Sequence, residues 1–472
     1  MAAQIKHVFV LMMENRSFDH LFGFMKSPGY PIEGLDPAAL PFNRDSAGNQ
    51  IYANPDARPT GDLAADPNHH FADVTEQLYG TGNPATGQAP DMSGFVLNYE
   101  AKSGSAAAGA NIMKCFTPQA LPVLTTLAKQ YAICDHWFSS IPGPTLPNRL
   151  YVHCGTSRGR LDMAPEFYSG FYTVYEELAK SGTSSCIYWS DWSGTLTFSG
   201  LMAHQNLFYD SYANFAAVCS GNADDVPAYC FIEPQYNPAN DPAGGTLPAT
   251  DQHPDNDMRD GEALIQNVYE AIRQNDELWH SSVLVIIYDE HGGIFDHVPP
   301  IPLPSPDNLS SVAPPFDFKL SGIRVPAVVV SPYIAPETIC STVFDHTSVI
   351  ATVLKLFTPA AWPNDHLFDR AKAANTFDSI LDLNMAPNDA TPQFPAPVYG
   401  GVIQGVQAVA ALAAPLSDLQ KEALTQARTL NATLPVDFQV SAPRGLNKAA
   451  VAGKFIKSVG NAAVSAHKDL KV

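Results

Sequence analysis

Two stretches of this chain constrain its fold more than any others. Residues 6–13 read KHVFVLMM and residues 282–288 read SVLVIIY. Both are short, apolar and rich in β-branched side chains, with no alternation of polar and apolar positions. Such runs suit strands buried on both faces, as at the centre of a parallel sheet covered by helices. A third run, VPAVVVS at 325–331, is expected to be another strand of the same kind. Segments with helical character lie between and after them: 118–131 with Pro near its start, 171–181 followed by Gly182, 257–277, and 347–357. In 257–277, Leu264, Val268 and Ile272 recur every four residues and acidic residues open the segment. Strands alternating with helices predict the α/β class, with a mostly parallel central sheet covered on both faces.

The polar residues just after the strands carry the chemistry. Glu14-Asn15 comes directly after the first run and Asp289-Glu290 directly after the second. Open α/β sheets bind ligands outside the carboxyl ends of their strands. Three carboxylates and an amide oxygen at one edge are hard donors, suited to Ca²⁺, Mg²⁺ or Mn²⁺ and compatible with Zn²⁺. Taken alone, Asp289 and Glu290 equally suit the capping of a turn at Gly292-Gly293; a second strand end of the same kind favours the metal. The segment Gly143-Pro144-Thr145-Leu146-Pro147-Asn148-Arg149 is expected to be a loop whose prolines restrict Thr145. By itself it reads as a structural proline turn. Beside a metal its hydroxyl becomes a nucleophile, and Arg149 suits a phosphate. His69, His253, His297 and His346 each lie close behind an Asp. Singly they read as loop or capping histidines; together they flank the carboxylate pairs.

At 472 residues the chain can hold one large α/β core with insertions or two to three smaller units. A net charge of −20 argues against a nucleic-acid partner, and against docking on anionic lipid through charge. Pro, Gly, Asn and Asp make 26–68 a long irregular excursion, of the kind that serves a site. The seven Cys form no CxxC pair, so neither a zinc ribbon nor a thioredoxin-type site is indicated. Their odd number suits a reducing compartment, with secretion and one to three disulfides as the alternative. The N-terminus lacks the features of a signal peptide, and no run approaches the ~20 apolar residues of a membrane span. The expectation is a cytoplasmic protein, or one exported without a signal or after its removal. A catalytic unit over 1–400 is expected, with a helical accessory segment over 401–472 that includes an Ala-rich helix at 404–431.

Four blocks occur in order: ENRSFDHLFG (14–23), GPTLPNR (143–149), DEHGGIFDHVPP (289–300) and GIRVPAVVVSP (322–332). They resemble the signature blocks of the phosphoesterase family of bacterial phospholipases C, plant non-specific phospholipases C and a related acid phosphatase. DPNHHF (66–71), FIEPQY (231–236), HPDNDMRDGE (253–262) and FDHTSV (344–349) are weaker likenesses, so the resemblance runs from about residue 5 to 358. It implies an alkaline-phosphatase-like three-layer α/β sandwich with long loop insertions. It implies a divalent metal on Glu14, Asn15, Asp289, Glu290 and Thr145, with Thr145 as nucleophile and His69 and His253 at the phosphoryl group. Asn15, Arg149, Asp191, His297 and His346 are expected on the substrate side. Asp191 stands in Trp189-Ser190-Asp191-Trp192, where some relatives have a phosphate-contacting His.

The implied activity is that of a phospholipase C. Glycerophospholipids such as phosphatidylcholine would be cleaved to diacylglycerol and a phosphorylated head group through a phosphothreonine, with transient membrane contact. The alternatives are a broad acid phosphatase on soluble monoesters and a silent lipid-binding protein. The second would have lost its nucleophile or metal set, and this chain retains both. The aromatic stretch 188–207 reads either as an acyl or choline pocket or as core.

Overall fold

Eight strands form one sheet: β1 (His7–Met13), β2 (Ala132–Cys134), β3 (Ser185–Trp189), β4 (Tyr209–Ser211), β5 (Tyr229–Ile232), β6 (Ser282–Tyr288), β7 (Ala327–Val330) and β8 (Thr338–Cys340). Their order across the sheet is β8-β2-β7-β6-β1-β5-β3-β4. This comes from a computed structural model that describes residues 4–63, 65–85, 87–164, 168–202, 208–241, 244–360, 362, 368–394 and 410–469. The two runs that dominate the sequence lie side by side, β1 parallel to β6, and every residue of both is buried. Burial of successive residues means that both faces of the sheet are covered.

One expectation is corrected. VPAVVVS does form a strand, but β7 runs antiparallel to both of its neighbours, β6 and β2. The other pairs are parallel. A strand buried on both faces is uniformly apolar whichever way it runs, so its composition carries no sign of direction. The shorter strands β2, β3, β4, β5 and β8 were not legible in the periodicity, being three to five residues long.

The helices obey their local signals closely. Segment 118–131 breaks at Leu121 into a 3₁₀ turn, Pro118–Ala120, and a helix, Pro122–Gln130, restarted by the second proline. Helix Val174–Lys180 starts where Thr173 and Glu176 make a capping box. Helix Met258–Arg273 starts at the Asp257 cap, and Asn275 caps a separate short turn, Asp276–Trp279. Thr347–Phe357 forms as predicted. Between 26 and 68 the only paired strands among the described residues are Phe42–Arg44 and Gln50–Tyr52.

The start of helix Pro122–Gln130 has no side-chain cap of its own, because Leu121 offers no acceptor. Glu262, on the neighbouring helix, supplies it. Its buried carboxylate accepts from the backbone N–H of Val123 at 2.6 Å and of Leu124 at 3.2 Å. One side chain thus satisfies orphan donors of one helix and locks it to another.

Helices Asp418–Thr433 and Ala449–Asp469 pack on each other and share the apolar core of the sheet, through Ala427, Leu430, Phe455, Ile456 and Val459. Glycines permit the close approach: a Cβ on Gly453 would lie 2.5 Å from Asn237, and one on Gly460 2.8 Å from Trp189. Residues 404–409 of the expected Ala-rich helix fall outside the described residues, and the rest is not continuous: it breaks at 414–417, around Pro415, and restarts at the Ser417 cap. Tyr188, Trp189, Trp192, Leu196 and Phe198 join the same core. The apolar side chains of 188–201 are therefore packed interior, and residues 203–207 are not described. Among the described residues no helix is long and apolar enough to cross a membrane.

Replacing Glu262 with Ala is expected to lower the unfolding free energy by about 2 kcal/mol, since two buried N–H groups lose their acceptor. Urea denaturation measures this, and Glu262→Gln, which keeps an acceptor, should cost less. An unchanged midpoint for Glu262→Ala would refute the capping role.

Candidate active site

Three adjacent strands, β6, β1 and β5, end at the same edge of the sheet. Met13 pairs with Tyr288, so the residues after each of them emerge at the same level. The Asn15 N–H donates to Asp289 Oδ1 at 2.8 Å, and the Asp289 N–H to the Met13 carbonyl at 3.2 Å. Asn15 adopts φ 54°, a left-handed conformation that Asn tolerates better than most residues. The turn at Gly292-Gly293 packs directly on it. A Cβ on Gly292 would sit 2.2 Å from the Asn15 carbonyl oxygen, and one on Gly293 2.4 Å from that of Asn68. The two glycines, both at positive φ, let the turn after Glu290 wedge between the end of β1 and the loop that carries His69.

Thr145 is not in a loop, as the flanking prolines suggested, but is the first residue of helix Thr145–Cys154. Proline at the cap and in the first turn suits a helix start, where the missing N–H groups have no helical partner. Asn148 folds the preceding segment back: its amide donates to Gly143 O at 2.9 Å and Pro144 O at 3.1 Å, and accepts from Ile141 N at 3.1 Å. The buried Thr145 Oγ1 lies 3.1 Å from Asn15 Oδ1 and 3.4 Å from Glu14 Oε2. It therefore stands at the positive end of a ten-residue helix, where negative charge is favoured.

Arg149 lies one turn further along this helix. Its Nε donates to Glu14 Oε1 at 2.9 Å, Nη1 to Glu233 Oε2 at 2.8 Å, and Nη2 to Met12 O at 3.3 Å and to Glu14 Oε1. The ring of Tyr236 packs 5.5 Å from the guanidinium carbon. The fork expected to face a phosphate faces strand-end carboxylates here. A sequence shows the fork but not which buried anion lies within its reach.

The carboxylates are crowded. Burial, then Asp289, hold the Glu14 carboxyl well above its ordinary value, although Arg149 opposes them. Burial pushes Glu290 up to about 8, against the pull of His69 and with the push of Asp289. Asp289 Oδ2 and Glu290 Oε1 are buried without a hydrogen-bond donor. Buried carboxylate oxygens left without donors, beside an amide oxygen and a hydroxyl, fit a hard divalent cation.

A second acidic cluster does not fit one as well. Donor atoms of Asp19, Asp296 and His297 lie within 4.8 Å of one another, the one such group among the described residues. Arg324 already supplies its cation, with Nε 3.0 Å from Asp296 Oδ1 and Nη2 3.0 Å from Asp19 Oδ1. His297 belongs to this cluster. Its Nδ1 meets Asp19 Oδ2 at 2.6 Å and its Nε2 meets Glu33 Oε1 at 3.3 Å.

The other expected residues divide in two. His253 is held between Asp255, at Nδ1, and Asp66, whose Oδ1 is 3.6 Å from Nε2. Burial alone would lower its pKa, but Asp255, Asp66 and Asp251 raise it well above the usual value, which favours the charged ring. It acts electrostatically on both Glu14 and Glu290. His69 donates from Nδ1 to the Pro67 carbonyl at 2.8 Å, which fixes the ring beside Glu290. His346 and Asp191 are occupied elsewhere. His346 donates from Nε2 to the Asp289 carbonyl at 2.6 Å and receives the Trp137 indole N–H at 3.5 Å, supporting Asp289 from behind. Asp191 accepts from Tyr236 N at 3.0 Å and Asn237 N at 2.9 Å, fixing the loop after Glu233. Glu233, Asp66 and Asp251 are site residues that the sequence did not single out. Glu233 had a signal: it comes directly after the apolar strand β5, just as Glu14 and Asp289 come after β1 and β6.

Gly292 and Gly48 separate backbone strain from crowding, since both have positive φ but a Cβ on Gly48 meets nothing within 4 Å. Gly48→Ala is expected to cost about 1 kcal/mol. Gly292→Ala should cost at least about 2 kcal/mol more, because backbone must move. Equal losses in denaturation would contradict the wedge.

The family model described as Phosphoesterase family matches residues 5–358. Over 418 residues the chain is 34% identical to "Non-specific phospholipase C3" of Arabidopsis thaliana, covering 84% of this chain and 76% of that protein. It is 26% identical to "Phospholipase C B" of Mycobacterium tuberculosis over 451 residues, 83% of this chain and 80% of that one. Among solved structures, a protein in the alkaline phosphatase superfamily from Vibrio parahaemolyticus matches with TM-score 0.33 and 11% identity, over 50% of this chain and 60% of that chain. The chain belongs to the phosphoesterase family, and with it to the phosphoric ester hydrolases.

Proposed function

We propose that this chain is a divalent-metal-dependent phospholipase C that works through a phosphothreonine at Thr145. The observation that carries this reading is the contact of the buried Thr145 hydroxyl with Asn15 and Glu14, beside the donor-less oxygens of Asp289 and Glu290. The names of the plant and mycobacterial relatives support the phospholipid as substrate. A cation held by Glu14, Asn15, Asp289, Glu290 and Thr145 would lower the hydroxyl pKa and offset charge on the phosphoryl oxygens. Its identity among Ca²⁺, Mg²⁺, Mn²⁺ and Zn²⁺ is left to experiment.

The side chains divide the work. In the first step a bond forms between Thr145 Oγ1 and phosphorus as the bond to the glycerol oxygen breaks. Oγ1 gives up its proton as the bond forms and the departing glycerol oxygen takes up one, so diacylglycerol leaves as the alcohol with no net change in protons. His253, whose charged form Asp255, Asp66 and Asp251 favour, is the donor we assign to the phosphoryl oxygens or the leaving oxygen. In the second step a water forms the new bond to phosphorus and the Oγ1 bond breaks, returning the proton to Thr145. His69, fixed through Nδ1 on the Pro67 carbonyl, is the histidine we assign to activating that water.

Thr145→Ala is expected to reduce kcat by about 10⁴-fold or more while circular dichroism stays that of the wild type. Dialysis against EDTA should abolish turnover, and readdition of single cations should identify the one that restores it. Hydrolysis of phosphatidylcholine compared with p-nitrophenyl phosphate separates the phospholipase from a phosphatase on soluble monoesters. Near-wild-type activity of Thr145→Ala would sink the nucleophile, and full activity after exhaustive chelation would sink the metal.

A further inference from the structure

We infer that Glu233 is a positioning residue of this site: it holds the Arg149 guanidinium against one oxygen of Glu14, so that the other stays available to Thr145 and a cation. The inference rests on the metal reading proposed above. Arg149 uses Nε and Nη2 on Glu14 Oε1 alone, while Glu14 Oε2 faces Thr145 Oγ1 at 3.4 Å. Besides the Met12 carbonyl at Nη2, the guanidinium is held in that orientation by its third nitrogen, Nη1, which donates to Glu233 Oε2 at 2.8 Å. A fork clamped at two ends by two carboxylates cannot slide across to straddle either of them.

Glu233 is itself held on every side. It is 2% exposed, its Oε1 accepts from Ser193 Oγ at 2.9 Å, and its Oε2 accepts from the Tyr236 hydroxyl. The Tyr236 backbone is fixed in turn by Asp191. This gives Asp191 and Arg149 a shared structural purpose, in a chain that runs Asp191, Tyr236, Glu233, Arg149, Glu14. The arrangement is also a charge balance. Arg149 Nε is 3.7 Å from Asp289 Oδ2 as well as bonded to Glu14. With Glu233 neutralised, the whole guanidinium charge would bear on Glu14 and Asp289 and compete with a divalent cation for them. Outer partners of this kind orient the ligands that touch the ion.

The test is calorimetric titration of Mn²⁺ into the metal-stripped full chain. Glu233→Gln is expected to weaken Mn²⁺ binding about 10-fold. In an Arg149→Gln background the same substitution should change affinity less than about twofold, because its effect passes through Arg149. Tyr236→Phe removes one donor to Glu233 with little change of shape, and should weaken binding in the same direction by about threefold. It serves as the decisive variant if Glu233→Gln does not fold by circular dichroism. A wild type that binds no Mn²⁺ overturns the metal reading and the inference with it. A wild type that binds, with the folded variants unchanged, overturns the inference alone. An equal loss with and without Arg149 rules out the route through that residue.

Discussion

Burying carboxylates is the constraint around which the rest of this structure is arranged. Glu14, Glu233, Asp289 and Glu290 all lie at the carboxyl edge of three neighbouring strands, and none is more than 2% exposed. An ionised carboxylate removed from water is strongly unfavourable unless charge or hydrogen bonds meet it. The fold supplies Arg149 between two of them, the Asn15 N–H on Asp289, the Gly292 N–H on Glu290, and His253 nearby. Two oxygens, Asp289 Oδ2 and Glu290 Oε1, remain without donors, and unmet negative charge of this kind suits a cation.

The loops obey the same constraint. Glycine at 292 and 293 is required because the turn after Glu290 lies on the backbone of Asn15 and Asn68. His291 then links that turn to helix Phe71–Tyr79 through Gln77, whose amide also donates to Asn68 O at 2.7 Å. The long excursion after β1 is thus tied back to the strand ends. A separate cluster of Asp19, Asp296, His297 and Arg324 balances its own charges and joins the first and third signature blocks to the fourth. It resembles a metal site in residue type and spacing, but Arg324 takes the place of the cation.

Much of the fold was legible in the residues themselves. β1 and β6 were fixed by uninterrupted apolar runs, and the helices by prolines, capping residues and spacing. The strand-end carboxylates were named from position, the nucleophile candidate from the resemblance, and Thr145 lies in contact with Asn15 and Glu14. The helical setting of Thr145 was hidden for a local reason: its prolines suit a rigid turn as well as a helix start. Other features were hidden because their cause lies far away in the chain. The direction of β7 and the partners of Arg149, His346 and Asp191 all depend on segments distant in sequence.

The division has a physical basis. Apolar periodicity, proline and glycine act over a few residues, so the sequence by itself determined the α/β class, the central strands, the helix starts and which polar residues come after the strands. Hydrogen bonds and ion pairs depend on distances of about 3 Å, which no spacing along the chain encodes. Only the tertiary structure decided that Arg149 serves Glu14 and Glu233, that Asp191 anchors a loop, that Arg324 fills the second acidic cluster, and that Glu233 belongs with the site at all.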